Sequence, residues 1–365
     1  MSDLLYSEEE EALRSAVRAL LADRCEATTV IARVESDDPL DRELWKALTD
    51  GMGLAGLLIP EDLGGQGATH REAAVVLEEL GRAVAPVPYL TSAVVATETL
   101  LGCAGSEATE LLGALAAGRT VGALAVGLAV APGAPVRGVR HDEGALHGKV
   151  TGVADAVGAD VLLVPADGGL YAVHTAQDGV TVTPQTSLDL TRPLATVTFD
   201  AARARELSRD ADAEAAVRRG LRAGAALLAS EQLGIAEWCL TETVRHTKER
   251  HQFNRPVGSF QALKHRLAQL WTEVVNTRAA ARNAADALAT GSADADVAAA
   301  VAQAYAAPVA VRAAEEALQL HGGIGMTWEH PVHLYLKRAK ADSVAYGTAG
   351  RHREALAELV DLQAP

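Results

Sequence analysis

After Ser7, the apolar residues Leu13, Val17, Leu20 and Leu21 recur three or four positions apart and form one stripe of a helix. Ser7 followed by Glu10 has the form of a capping box that would start it. The same periodicity returns over residues 42–48 and 71–80. Between them, Ile59-Pro60-Glu61-Asp62-Leu63-Gly64-Gly65-Gln66-Gly67 must break the helix, because proline and clustered glycine cannot continue it. The pattern then changes. Residues 161–164, 170–173 and 195–199 are short, β-branched runs bounded by Gly, Asp or Pro, several of them alternating, which predicts strands. From about residue 212 helical spacing resumes in long stretches, with Leu233, Ala236, Leu240 and Val244 on one and Leu263, Leu267, Leu270, Trp271 and Val274 on the next. A turn at Gly291-Ser292-Ala293-Asp294 separates two helices, Pro308 is expected to kink or break the third, and Gly322-Gly323 to end it. The order is α–β–α: an N-terminal helical domain over residues 1–118, a small β-domain over 119–205 and a helical bundle over 206–365.

Composition narrows the class. At 365 residues the chain exceeds the size of one core, so two or three domains are expected. It is 49% hydrophobic and 22% charged, with few aromatics, as befits a globular protein with an aliphatic, alanine-rich core. A net charge of −15 without runs of Lys or Arg excludes a nucleic-acid footprint and argues against adhesion to an anionic membrane. Cys25, Cys103 and Cys239 lack metal-ligand spacing, so neither a disulfide framework nor a metal site is expected. The N-terminus is acidic where a signal peptide is basic, and no stretch reaches the roughly 18 charge-free apolar residues of a membrane helix. A cytoplasmic location is the expectation.

Two stretches carry candidate chemistry. The first, Glu249 to Gln261, joins two amphipathic helices and gathers Arg250, Gln252, Phe253, Val257, Phe260 and Gln261 at a helix–helix junction. Forked Arg donors, a Gln amide and a helix N-terminus make a receptor for a pyrophosphate, although a polar loop of purely structural role has the same composition. The second runs Gln319-Leu320-His321-Gly322-Gly323-Ile324-Gly325. Its glycines permit a close backbone approach to a ligand and equally suit a helix cap; His321 reads as a packed or capping histidine.

In this order and spacing the stretches resemble the acyl-CoA dehydrogenase family. Arg250, Gln252, Phe253, Pro256 and Gln261 match its R-x-Q-F-G-x-P…Q signature, with Asn254 in place of glycine, and Gln319, Gly322, Gly323 and Gly325 match Q-x-x-G-G-x-G. Residues 60–67 resemble the family's P-E-x-x-G-G-x-G turn, and Asp189-Leu190-Thr191-Arg192 with residues 197–200 the end of its β-domain. The resemblance implies an α+β, mostly α fold: an N-terminal helical domain, a central β-domain and a C-terminal four-helix bundle. It also implies FAD and α,β-dehydrogenation of an acyl-CoA, in which a carboxylate takes the α-proton and the β-hydrogen leaves as hydride to the flavin.

The working residues are retained on one side only. The family's usual base is the Glu of Y-E-G-T, where this chain has Ala345-Tyr346-Gly347-Thr348; an alternative base position falls at Gly224. Tyrosine, with a reference pKa of about 10, is a poor base near neutrality. Glu231 and Asp342 are the replacement candidates, each otherwise an ordinary exposed or capping carboxylate. The family's flavin-ring segments T-E-P-x-x-G-S-D and G-x-K-x-W-I-T correspond to residues 127–134 and 148–154, which lack the polar contacts and the tryptophan, and Gly350 replaces a family Gln. In the family, R-x-Q-F and Q-x-x-G-G residues reach the ADP half of a neighbour's FAD, whereas the depleted segments hold the flavin in their own subunit. Heterotetrameric (α2β2) steroid side-chain dehydrogenases have two catalytic and two supporting subunits, and residues 325–339 resemble theirs. The resemblance thus implies a supporting subunit with FAD shared with a catalytic partner, an acyl-CoA substrate and an electron-transfer flavoprotein as acceptor. A homomeric flavoenzyme with an atypical base, and a structural or acyl-CoA-binding relative without redox role, are the alternatives.

Overall fold

The computed structural model describes residues 4–36, 38–136 and 138–362. The N-terminal helices are α1 (Glu8–Arg24), α2 (Ala27–Val34), α3 (Arg42–Asp50) and α4 (His70–Ala83), then a π-helical segment, Tyr89–Ala96, that runs into α5 (Thr97–Leu101), and α6 (Ser106–Ala116). Ser7 and Glu10 form the reciprocal capping box at the start of α1. Residues 59–67 fold into a short 3₁₀ turn with glycines in the left-handed region at Gly64 and Gly67.

Eight strands follow: β1 (Gly122–Leu124), β2 (Val139–Asp142), β3 (Ala145–Ala154), β4 (Val161–Ala166), β5 (Gly169–His174), β6 (Val180–Gln185), β7 (Leu194–Arg203) and β8 (Arg205–Arg209). They make two four-stranded sheets, ordered β1-β4-β5-β8 and β2-β3-β7-β6, antiparallel apart from the β1–β4 pair. β4 explains its own sequence. Side chains alternate across a strand, so Leu162 and Val164 pack with Val197 and Phe199 of the other sheet, whereas Val161 and Leu163 join the helical core. Buried on both faces, the strand is apolar at every one of these positions.

The C-terminal half is a bundle of α7 (Asp210–Glu249), α8 (Gln261–Ala289) and α9 (Ala295–His321), with α10 (Val332–Asp342) and α11 (Ala349–Leu359) packed against α9. A two-stranded hairpin, β9 (His251–Gln252) and β10 (Arg255–Pro256), links α7 to α8. The N-terminal helices dock through α4 on α7, where the two backbones touch: a Cβ on Gly81 would lie 2.2 Å from the Glu231 carbonyl oxygen, and one on Gly234 1.9 Å from that of Glu78. Only glycine fits either position.

Of the two outcomes expected at Pro308, a kink or a break, the break does not occur: α9 is continuous across it. Proline removes the N–H that the Ala304 carbonyl would accept, and the Arg353 guanidinium reaches that oxygen at 3.5 Å from α11. The same segment, Ala295–Met326, is long and apolar enough to cross a bilayer by length and composition, although Asp296 and Arg312 keep its charge-free run below the roughly 18 residues sought in the sequence. Its position accounts for this: α9 packs against α7, α8, α10 and α11 at the bundle centre, so it is apolar nearly all round.

Candidate cofactor-binding loops and the base positions

The Arg250 stretch is a two-residue hairpin. Gln252 pairs with Arg255 and His251 with Pro256, leaving Phe253 and Asn254 as the turn. Both have positive φ, 53° and 59°, as a type I′ turn requires. Asn tolerates this region better than other non-glycine residues, which explains how it stands where the family has glycine. Phe253 does not, and its strained backbone of about 1–2 kcal/mol holds the ring out in solvent, 87% exposed. The hairpin is nonetheless built. Val257 N–H donates to the Arg250 carbonyl at 2.7 Å, the Arg255 guanidinium stacks 3.8 Å over the Phe260 ring, and Phe253 meets that ring edge-on. Arg250, Gln252 and Gln261 are exposed, and the Arg250 guanidinium has no ion-pair partner among the described residues. α8 starts at Gln261 without a side-chain cap and without an acid in its first turn, leaving N–H groups free for an anion.

The second motif sits at the end of α9. Gln319 is exposed, Leu320 half-buried, and Gly322 turns the chain at φ 62°, ψ −135°, which only glycine adopts readily. A Cβ on Gly325 would strike the Leu318 carbonyl at 2.8 Å, so packing explains that glycine. Gly323 is different: its φ is not positive and a Cβ there would meet nothing within 4 Å. Nothing among the described residues requires glycine at 323, as expected where a ligand or second chain approaches the backbone.

Three histidines draw the two motifs together. The ring of His321 lies 4.4 Å, centroid to centroid, from His246 at the end of α7 and from His330 before α10. His321 donates from Nδ1 to the Ala317 carbonyl at 2.6 Å. Burial and the neighbouring His321 hold His330 down to about 4 and lower His246, so both rings stay uncharged and can pack at neutral pH. His321 is buried as read from sequence; the parts played by His246 and His330 carry no sequence signal beyond the placement of His246 one turn before Arg250.

The two positions at which the family carries its base meet in space. Tyr346 is buried, and its phenol packs on Gly224: a Cβ at 224 would lie 3.1 Å from Tyr346 Cζ and 2.7 Å from Val95 Cγ2. Tyr346 is held at φ 52° by its N–H to the Leu128 carbonyl, 2.7 Å, and by the His352 Nε2–H to its own carbonyl, 3.0 Å. Burial pushes its phenol further above the ordinary range, away from any role as base.

Neither replacement candidate is an exposed or capping carboxylate. Glu231 is 3% exposed and Asp342 fully buried. Arg192 grips both, at 2.6 Å to Glu231 and 2.7 Å to Asp342, and Arg338 reaches Glu231 at 2.7 Å and Asp189 at 2.8 Å. Burial raises Glu231, but the two guanidiniums outweigh it and hold the group below its usual range; burial and the Glu231 charge push Asp342 well above. Both carboxyls are buried and occupied by guanidinium contacts, Glu231 by Arg192 and Arg338 and Asp342 by Arg192, so neither offers a free base. Sequence reading missed this cluster because its members come from positions 150 residues apart, although Thr191-Arg192 was in view.

The flavin-side segments fit a flavin poorly. Leu128 N–H donates to the Gly152 carbonyl at 2.8 Å, the Leu128 carbonyl accepts from Tyr346, and Gly152 N–H donates to Gln185 Oε1 at 2.7 Å. The backbone N–H and carbonyl groups of Leu128 and Gly152 are thus bonded within the chain. The groove beside them, about 500 Å³, is lined by apolar residues such as Leu128, Leu188 and Val344 and by polar ones including Thr151, Gln185 and Lys340.

Comparison with known proteins agrees with the fold. Residues 7–119 match the model of the acyl-CoA dehydrogenase N-terminal domain and 214–360 that of the C-terminal domain. The chain is 38% identical to acyl-CoA dehydrogenase IpdE2 of Mycolicibacterium smegmatis over 93% of its length and 95% of the relative's. Among solved structures it is similar to a Tcur3481–Tcur3483 steroid ACAD variant (TM-score 0.87, 31% identity, 97% of this chain and 98% of that one). It is also similar to the ChsE4–ChsE5 complex from Mycobacterium tuberculosis (TM-score 0.88, 28% identity, 100% of both). With the same helical, sheet and bundle elements and both loop motifs in place, this chain belongs to the acyl-CoA dehydrogenase family, flavoprotein oxidoreductases acting on acyl-CoA.

Proposed function

We propose that this chain is the supporting subunit of a heteromeric FAD-dependent acyl-CoA dehydrogenase, completing the ADP side of a cofactor whose flavin lies in a catalytic partner. The observation that carries the reading is an asymmetry. Arg250 and Gln319 are exposed with no side-chain partner among the described residues, Gln252 and Gln261 are exposed and touch only the adjacent His251 carbonyl and the His265 ring, and the space at Gly323 is unfilled, whereas Leu128 and Gly152 have closed on each other. When bound, FAD supplies hydride acceptance. The residues of this chain would hold it: Arg250 by charge-assisted donors to the pyrophosphate, Gln252, Gln261 and Gln319 by amides, Phe253, Val257, Phe260 and Leu320 by apolar contact, and Gly322 and Gly323 by leaving the backbone open. The α-proton falls to a carboxylate of the partner, and an electron-transfer flavoprotein is the acceptor. The similarity to structures named as pairs of unlike chains, one of them a steroid ACAD, supports an α2β2 assembly and a bulky, steroid side-chain acyl-CoA as substrate.

The test is Arg250→Ala in the complex co-expressed with a glutamate-bearing partner. Loss of a charged hydrogen bond to phosphate should weaken FAD retention about 10- to 100-fold, with the assembly intact. Unchanged FAD content would favour a relative with no part in the cofactor site.

A further inference from the structure

The Tyr346 ring occupies the meeting point of the two base positions and fills most of the space there. The space left beside it is about 20 Å³, bounded by Thr91, Val95, Leu124, Val126, Leu128, Ala154, Leu221 and the ring itself. That admits about one water molecule. We infer that Tyr346 is a built-in plug that bars acyl thioesters from this subunit, so that a complex containing it binds acyl-CoA only on its catalytic chains. The inference rests on the supporting-subunit reading and adds a substrate-excluding role to it.

Three features make this a device rather than a chance replacement. The ring packs directly on Gly224, where a Cβ would press on Tyr346 Cζ at 3.1 Å as well as on Val95 Cγ2 at 2.7 Å. Its backbone takes a conformation unfavourable for tyrosine, and hydrogen bonds to Leu128 and from His352 fix it. Gly347 follows with φ 103° and its α-carbon against Ala131, where a Cβ would come within 2.9 Å, so the plug is clamped on its C-terminal side as well. Replacing the phenol by hydrogen would open an apolar cavity on the order of 100 Å³, a size at which dry protein cavities take up benzene.

The experiment uses the full chain purified alone, with Tyr346→Gly and Tyr346→Phe beside the wild type. Benzene at saturation should raise the melting temperature of Tyr346→Gly by several degrees and leave the other two unmoved, and octanoyl-CoA should give no binding heat with the wild type. Stoichiometric octanoyl-CoA binding by the wild type, or an equal benzene response in all three, would overturn the plug. So would a folded Tyr346→Gly that ignores benzene. Should that variant fail to fold, Gly224→Ala in a Val95→Ala background, which removes the 2.7 Å contact, keeps the idea testable: it should destabilise a chain with Tyr346 more than one with Tyr346→Ala, and equal losses would refute it. None of these readouts involves flavin, so a failure here is distinct from a failure of cofactor sharing.

Discussion

Replacing Glu231 by Gln removes one negative charge from a buried cluster while nearly keeping its shape. In the native chain that carboxylate answers two guanidiniums at 2.6 and 2.7 Å, with Glu231 3% exposed. Removing one partner from a buried pair costs about 3–5 kcal/mol, because the remaining charge stays desolvated. The structure places this case at the lower end. The Glu231 charge raises Asp342, so its removal lets Asp342 answer Arg192 more fully, and Arg338 retains Asp189. About 3 kcal/mol is therefore expected for Glu231→Gln, and more for Glu231→Ala, which adds a cavity. Urea unfolding followed by circular dichroism reads this as a lower midpoint at unchanged slope. The pH dependence carries the sign. The folded-state pKa of Glu231 is depressed, so its contribution is present above the unfolded carboxylate value and is lost as pH falls through the folded one. The variant and wild type should differ at pH 7 and converge in acid. A Glu231→Gln chain as stable as the wild type at pH 7, in a complex that has lost dehydrogenase activity, would refute the structural role and restore Glu231 as a base.

Two further outcomes follow from single positions. Gly323→Ala should leave the stability of the isolated chain within about 0.5 kcal/mol, since the new methyl meets nothing, yet weaken FAD retention in the complex; thermal melts and flavin absorbance check the two halves. Glu78, buried beside Tyr6, Arg282 and Arg14, is pushed up to about 7, chiefly by burial. A carboxylate raised in the folded state favours folding while protonated, so between roughly pH 4.5 and 7 it should contribute a fall in stability of about 3 kcal/mol with rising pH, and Glu78→Gln should flatten that slope in urea titrations.

Most of the fold could be read from periodicity because its elements are regular. The capping box of α1, the two-sided burial of β4 and the glycine stop after α9 each have a local sequence cause. That α9 would run on through Pro308 was not legible because the donor to the freed carbonyl, Arg353, lies on another helix, and the apolar length of α9 reflects its place in the bundle. The loop motifs were legible as short patterns, and Asn254 as a tolerated substitute for glycine at φ 59°. What could not be read was tertiary. Glu231 and Asp342 looked like ordinary carboxylates until Arg192 and Arg338 came to them from elsewhere in the chain. Likewise Tyr346 and Gly224 each looked like a simple loss, and only their contact makes them one site.

The central claim is that this chain completes a partner's FAD and holds none of its own. The most direct measurement is flavin per polypeptide, by absorbance after denaturation, for the chain purified alone and for the co-expressed complex. The account predicts a colourless isolated chain, and one FAD for each pair of unlike chains in the complex. A yellow, fully loaded and active homo-oligomer of this chain would contradict it.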